Sequence, residues 1–342
     1  MNHTFLAPLG FKDFLSVGEL DQTAALSLFR TAAAVKTDRL AFAGALSGRS
    51  IILIFEKPSL RTRVSFESGI AALGGHPIYF DHSSSKLGER ESVYDYAKNL
   101  ERMVDLIVCR THDHAPLAEL GRHARIPVVN ALCERFHPCQ ALADLFTLQE
   151  KFTDLRGIRL AYFGDGNNVC HSLMILASTL GVRFTCISPT GYAPEPAIAA
   201  EARSRAAASG GSVTITSDPA AAAGADAIYT DTWVSMGDEA EQAKRMRSFS
   251  PYQVDSAVMA KASPHAVFMH CLPAKRGEEV AASVIDSPAS VVFEQAENRM
   301  HVQNALLLHM LCSGREHSSA ARRPSVHVTA SSDSLTPRAR SE

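Results

Sequence analysis

Hydrophobic and polar positions alternate in short blocks along the chain, and the blocks read as strands and helices in turn. Ser50–Phe55, His76–Phe80, Leu106–Arg110 and Pro127–Asn130 are short apolar runs that predict strands. Between them, Arg63–Leu73 predicts a helix stopped by Gly74 and Gly75, and Ser92–Met103 a second one, with Tyr96, Leu100 and Met103 at helical spacing. His137–Phe152 follows as a helix with Pro138 at its opening, where the missing N–H does no harm. A second set then begins. Ile158–Phe163, Phe184–Ser188, Ala225–Thr230, His265–Met269 and Ser290–Phe293 predict strands, and Asn168–Leu180, Pro194–Ala208 and Ala296–Leu311 predict helices. Alternation of this kind predicts an α/β fold built on parallel sheets.

The chain has 342 residues, about two domains' worth. Hydrophobic residues make up 46% and charged residues 20%, enough for two cores. The net charge of −2 provides no global field for nucleic acid or membrane, so any basic site must be local. Seven cysteines without CxxC pairs or a Cys/His zinc spacing read as free thiols in a reducing compartment. The opening MNHTFLAPLGFKDF is not signal-like, and no apolar run approaches the ~20 residues of a membrane helix, so the expected location is the cytoplasm. After Cys312 the composition turns to Ser, Arg, His and Pro, and residues 313–342 are expected to be a disordered tail.

Several polar strings stand at strand ends. Pro58-Ser59-Leu60-Arg61-Thr62-Arg63 joins a buried strand to a helix. Unpaired amides at a helix N-terminus, with two hydroxyls and two guanidiniums, suit a phosphate. The plainer reading is that Ser59 is a cap and the arginines are surface charges; their density favours a site. Arg110 ends a strand, where open α/β sheets bind ligands. His137 and Gln140 open a helix, a position at which a lone histidine is more often structural. Gly164-Asp165-Gly166-Asn167-Asn168 superficially suggests a dinucleotide loop, but Val169 stands where the third glycine would fall, which disfavours an oxidoreductase. Asp231 could be a turn cap, Cys271 a small buried hydrophobe, and Lys86 an ordinary exposed lysine.

Taken together, and in order, these strings resemble the aspartate/ornithine transcarbamylase family over residues 1–312, and its ornithine branch most closely. Ser-Leu-Arg-Thr-Arg is similar to the family's phosphate loop, with Leu60 in place of threonine. His137-Pro138-Cys139-Gln140, Gly164–Asn168, Ser235-Met236-Gly237, His270-Cys271-Leu272-Pro273 and Glu297-Asn298-Arg299 match further family strings. The resemblance implies two similar domains, each a parallel sheet flanked by helices, linked by two interdomain helices. The carbamoyl-phosphate domain would span 1–136, completed by the C-terminal helix 296–312. The ornithine domain would span 137–295, including the linking helix 137–152.

The implied reaction transfers the carbamoyl group of carbamoyl phosphate to the δ-amine of L-ornithine, giving citrulline and phosphate, most naturally in arginine biosynthesis. The resemblance assigns carbamoyl phosphate to Ser59, Leu60, Arg61, Thr62, Arg110, His137, Gln140, Cys271, Leu272 and Arg299, and to Lys86 reaching across from a neighbouring subunit. Lys86 departs from the glutamine or histidine common there. Ornithine falls to Asn168, Asp231, Ser235 and Met236. Arg110, His137, Cys271 and Asp231 would be catalytic. A homotrimer with shared sites is implied, and neither metal nor other cofactor, because arginines supply the positive charge. Other readings are a transcarbamylase for N-acylornithine or putrescine, and a non-catalytic carbamoyl-phosphate-binding homologue.

Overall fold

The computed structural model describes residues 6–234 and 239–313. The expected contacts of Ser235 and Met236 and the expectation for the tail beyond 313 lie outside the described residues. In chain order the first half runs α1 (Gln22–Thr37), β1 (Ser50–Phe55), α2 (Leu60–Ala72), β2 (His76–Asp81), α3 (Val93–Leu100), β3 (Leu106–Arg110), α4 (His114–His123) and β4 (Val128–Leu132). Next comes α5 (Pro138–Phe152). The second half runs β5 (Arg159–Phe163), α6 (Asn168–Thr179), β6 (Arg183–Ile187), α7 (Pro196–Ser209), β7 (Ser212–Thr216), β8 (Ala227–Thr230), α8 (Gln242–Phe249), α9 (Ser256–Lys261), β9 (Val267–His270) and α10 (Ala282–Ile285). The last helix, α11 (Val292–Cys312), returns to the first half.

The architecture is the expected α/β one. The two sheets, ordered β2-β1-β3-β4 and β7-β6-β5-β8-β9, are parallel throughout. Central strands are covered on both faces, so they read as unbroken apolar runs: every residue of β3 is buried, and so is all of β1 after Ser50. Edge strands β2 and β7 are only half covered, which is why polar residues intrude in both. Helix α5 is buried from Pro138 through Leu148, and α11 packs on α5, α1 and α2. These two helices link the halves.

Strand order positions the site. The chain leaves β1 toward β2 on one side and comes back to β3 on the other, so the C-terminal ends of β1 and β3 flank a switch point. Phe55 is level with Arg110 there. The second sheet repeats the device between β5 and β8, with Phe163 level with Thr230. Loops diverge at such points and leave a crevice for ligand.

Two expectations change. Ser290–Phe293 is not a strand. Ser290 makes a single bridge to Phe268, and helix α11 begins at Val292. Helix α2 starts at Leu60 rather than Arg63, because Ser59 caps it by accepting from Thr62 N–H. The string read as a loop is therefore the first helical turn itself.

Candidate active site

One cavity of about 540 Å³ opens at both switch points and is lined from both halves of the chain. At one end stands the α2 N-terminus, where Ser59 Oγ accepts from Thr62 N–H at 3.3 Å and donates to Thr62 Oγ1 at 3.0 Å. Leu60 lines the cavity, but its side chain is 76% exposed, so its contribution is the backbone N–H of the first turn. Arg61 lines the cavity beside it. Arg63, read with Arg61 as part of the anion site, points elsewhere: it pairs with Glu67 at 3.1 Å and lies over the Tyr79 ring at 3.7 Å.

Arg110 and Arg299 complete this end, and both are nearly fully buried. Arg110 donates from Nε to the Lys57 carbonyl at 3.1 Å, and Arg299 from Nη2 to Thr62 Oγ1 at 2.7 Å. Burial, then the charges of Arg299 and Arg61, lowers the Arg110 pKa to about 9. Burial lowers Arg299 as well, and its Nε has no partner among the described residues. These guanidiniums stay protonated at neutral pH but are held at a penalty that an anion would relieve.

His137 lines the cavity at the N-cap position of α5, its backbone N–H donating to Ser172 Oγ at 2.8 Å. Burial, then Arg299 and Arg110, holds its imidazole well below the usual range, so the ring is neutral. A neutral imidazole keeps one N–H to donate. Gln140 donates from Nε2 to the buried Asp144 at 2.8 Å, which leaves Oε1, unpartnered among the described residues, as a buried acceptor.

The opposite end carries negative charge. Asp231 follows β8 and is 5% exposed. Its Oδ2 accepts from Asn167 Nδ2 at 2.9 Å, and its Oδ1 from Thr232 N–H at 2.8 Å and Cys271 Sγ at 2.9 Å. Burial, then the Asp231 charge, raises the Cys271 pKa well above the ordinary thiol value, so Cys271 is a thiol donor and not a thiolate. Asn168 heads α6 and donates to the Cys133 carbonyl at 2.6 Å. Leu272 lies at φ 59°, held by its N–H donating to His270 Nδ1 at 2.8 Å.

Asp231, His270 and Cys271 bring ligand-type atoms within 4.8 Å of one another. Each is already committed, since His270 Nε2 also meets Glu279 Oε1 at 3.2 Å in a fully buried pair.

Two family models divide this chain. The model described as "aspartate/ornithine carbamoyltransferase, carbamoyl-P binding domain" matches residues 12–150, and its "Asp/Orn binding domain" counterpart matches 156–310. The chain belongs to the aspartate/ornithine carbamoyltransferase family. The ornithine carbamoyltransferase of Shewanella oneidensis is 50% identical over 297 residues, which cover 87% of this chain and 98% of that one. The solved ornithine carbamoyltransferase from Pyrococcus furiosus superposes with a TM-score of 0.86 at 43% identity, covering 89% of this chain and 98% of that one. The anabolic ornithine carbamoyltransferase from Campylobacter jejuni gives 0.82 at 35% identity, covering 88% and 99%.

Against the carbamoyltransferase pattern read from sequence, the cavity gathers Ser59, Leu60, Arg61, Arg110, His137, Gln140, Asn168, Asp231, Cys271, Leu272 and Arg299. Thr62 joins them through its bond to Arg299. Lys86 is not in this cavity: within its own chain it pairs with Asp113 at 2.9 Å, in a separate depression with Glu56. Lys57, Thr232, Gln242, Pro273 and Lys275, to which the sequence assigned no role, also line the cavity. Asn167, quoted in its string but given no role, accepts at Oδ1 from Val169 and Cys170 N–H while its Nδ2 holds Asp231. An Asn immediately before a helix is a recognisable cap signal and could have flagged it. Gly166 has a packing reason, because a Cβ there would lie 2.1 Å from Pro194 N.

Proposed function

We propose that this protein is an ornithine carbamoyltransferase, moving the carbamoyl group of carbamoyl phosphate to the δ-amine of L-ornithine to form citrulline and phosphate. The observation that carries the reading is a single cavity with three arginines converging at one end and a buried carboxylate, Asp231, at the other. Such a polarity suits an anionic donor facing a cationic acceptor. The names of the relatives described above point the same way.

In this mechanism the phosphate sits on the α2 N-terminus, held by Ser59, the Leu60 N–H, Arg61, Thr62 and Arg110, with Lys86 supplied by a neighbouring copy. Thr62 Oγ1 accepts from Arg299 and Ser59, which leaves its own hydroxyl proton for the carbamoyl oxygen. Thr62, Arg110 and His137 then stabilise the oxygen as negative charge develops on it. Gln140 Oε1 and the Leu272 carbonyl accept from the carbamoyl NH₂. Asn168, Asp231, Ser235 and Met236 hold ornithine.

A free alkylammonium has a pKa near ~10.4, so the δ-amine must shed a proton before it attacks. Its nitrogen bonds to the carbamoyl carbon, the carbon–oxygen bond to phosphate breaks, and the departing phosphate takes the remaining proton. Cys271, already a thiol, does not take it; it donates to Asp231 and keeps that carboxylate turned to the acceptor.

The reading includes a cytoplasmic homotrimer serving arginine biosynthesis. An anabolic namesake among the solved structures supports the pathway role. All seven cysteines are free, which suits a reducing compartment. Val64, Ile78 and Phe80 are exposed apolar groups on α2 and edge strand β2, which suits a contact between copies. The carbamoyl-phosphate domain is taken as 1–136 plus α11, and the ornithine domain as 137–295; the packing of α11 on α1 and α2 supports this.

The deciding experiment offers carbamoyl phosphate with ornithine, N-acetylornithine, N-succinylornithine or putrescine. Citrulline formation from ornithine, with the others poor, is expected; preference for any other acceptor overturns the assignment. Light scattering should give about three times the 36.9 kDa chain mass.

A further inference from the structure

Gln140 and Leu272 lie on different elements, and one buried group joins them. Asp144 sits one turn after Gln140 on α5 and is fully buried. Its Oδ1 accepts from Gln140 Nε2 at 2.8 Å and from Gln295 Nε2 at 2.6 Å, and its Oδ2 accepts from Tyr229 Oη at 3.2 Å. The other end of the Gln295 amide accepts the His270 N–H at 3.0 Å, and His270 Nδ1 accepts the Leu272 N–H. Tyr229 precedes Asp231 by two residues on β8. A carboxylate thus connects α5, α11, β8 and the end of β9.

An amide is ambiguous: turned by half a rotation it presents donors where it presented an acceptor, with almost no change in shape. Gln140 is useful for recognising an NH₂ group only in one of those orientations. We propose that Asp144 is a positioning residue for carbamoyl recognition: by taking the Gln140 NH₂ it turns Oε1 to the ligand, and through Gln295 and His270 it fixes the loop that presents the Leu272 carbonyl. The inference rests on the assignment of Gln140 and Leu272 to the carbamoyl NH₂. What Asp144 must supply is acceptor oxygens.

Acetyl phosphate, with CH₃ in place of NH₂, isolates that recognition. Its Ki against carbamoyl phosphate, set beside the KM of carbamoyl phosphate, gives a preference for NH₂ over CH₃. In the wild-type protein this should be about 10- to 100-fold, as expected for buried acceptors left unpaired by the methyl analogue. Asp144→Leu removes the acceptor and should reduce the preference by about tenfold or more. Asp144→Asn keeps an oxygen for both glutamines, while the Tyr229 hydroxyl turns to accept, and it should restore the preference. A merely structural role would weaken both ligands alike.

The proposal is overturned if Asp144→Leu keeps the wild-type preference, if it loses both ligands by the same factor, or if Asp144→Asn behaves like leucine. Should the leucine variant fail to fold, a crystal structure of the wild-type protein with phosphonoacetamide decides. Gln140 Nε2 on Asp144 with Oε1 on the ligand NH₂ supports the proposal; Gln140 parting from Asp144 to reach the ligand sinks it. Failure of the functional reading is distinct, because then the wild-type protein forms no citrulline from carbamoyl phosphate and ornithine.

Discussion

Replacing Arg110 by methionine should make the ligand-free protein more stable and the enzyme nearly inactive. Arg110 is 4% exposed and lies beside Arg299 and Arg61, with one side-chain hydrogen bond among the described residues, from Nε to the Lys57 carbonyl. Burial, chiefly, lowers its pKa from the ordinary guanidinium value to about 9. That fall is equivalent to about 5 kcal/mol against the charged form at 1.36 kcal/mol per decade. At neutral pH the group is still charged, so the penalty is borne by the fold. Methionine fills similar volume without charge and forfeits one hydrogen bond worth about 1 kcal/mol. The net gain is up to about 4 kcal/mol, or about 8 °C in Tm at roughly 2 °C per kcal/mol for a chain of this size.

The same substitution should remove the response to ligand. Phosphate at 100 times its Kd raises wild-type stability by about 2.7 kcal/mol, and the variant should show little of that. Loss of one donor to the developing oxyanion lowers kcat by about 10²–10³, and loss of the phosphate contact adds to the fall in kcat/KM. Thermal melts with and without inorganic phosphate, together with initial rates of citrulline formation, test both halves. A ligand-free variant that melts well below wild type while keeping its phosphate shift would show Arg110 to be a structural residue and refute the reasoning.

Other outcomes follow from the same geometry. Arg61→Ala should abolish carbamoyl phosphate binding, and near-native turnover would remove Arg61 from the site. Cys271 should resist iodoacetamide at pH 7 and react only under alkaline conditions, because burial and Asp231 keep it protonated; rapid alkylation at pH 7 would contradict that. His137 should not titrate between pH 6 and 8 in the NMR spectrum. Since its folded pKa lies below its unfolded one, the unfolded chain binds the proton first, and wild type should lose stability relative to His137→Asn as pH falls below about 6.5; a constant difference would contradict burial of the neutral ring. Gly166→Ala forces a Cβ to within 2.1 Å of Pro194 N. It should cost about 3 kcal/mol or more and raise the KM for ornithine, and a melt unchanged from wild type would mean that the loop yields freely.

The sequence carried most of the fold because buried parallel strands advertise themselves: Ser50–Phe55 and Leu106–Arg110 are read with the ends they have in the structure. Elements that escaped lack that contrast. Strand β7, Ser-Val-Thr-Ile-Thr, is a half-covered edge. Helix α1 is rich in alanine and shows no sharp apolar stripe. Ser290–Phe293 misled because Val291 and Val292 favour strands locally, whereas in the structure Val292 joins the core cluster of Phe163, Phe268 and Ile285 as the first residue of helix α11. The anion end was legible because a helix N-terminus and its hydroxyls are contiguous in the chain. Asp144, Gln295 and Tyr229 were not, because their partners lie 85 and 151 residues away and no local pattern announces them.

Unpaired polar atoms sharpen the picture of what the cavity is built to hold. Buried donors and acceptors normally find partners, so each exception needs a reason. Among the described residues such atoms occur in several places, including Gln303 and Tyr192, so a single exception proves little. Gln140 Oε1, Arg299 Nε and His137 Nδ1 differ in belonging to three residues that line one cavity, beside a lowered Arg110. Their chemistry is also complementary rather than random: cations, a neutral ring and one amide acceptor. A simple phosphate would use the cations alone and leave Gln140 Oε1 wanting a donor. An acyl phosphate carrying an NH₂ meets both demands, so on the proposed function the acceptor, and the carboxylate that turns it inward, would discriminate carbamoyl phosphate from the commoner anions that would fit the arginines equally well.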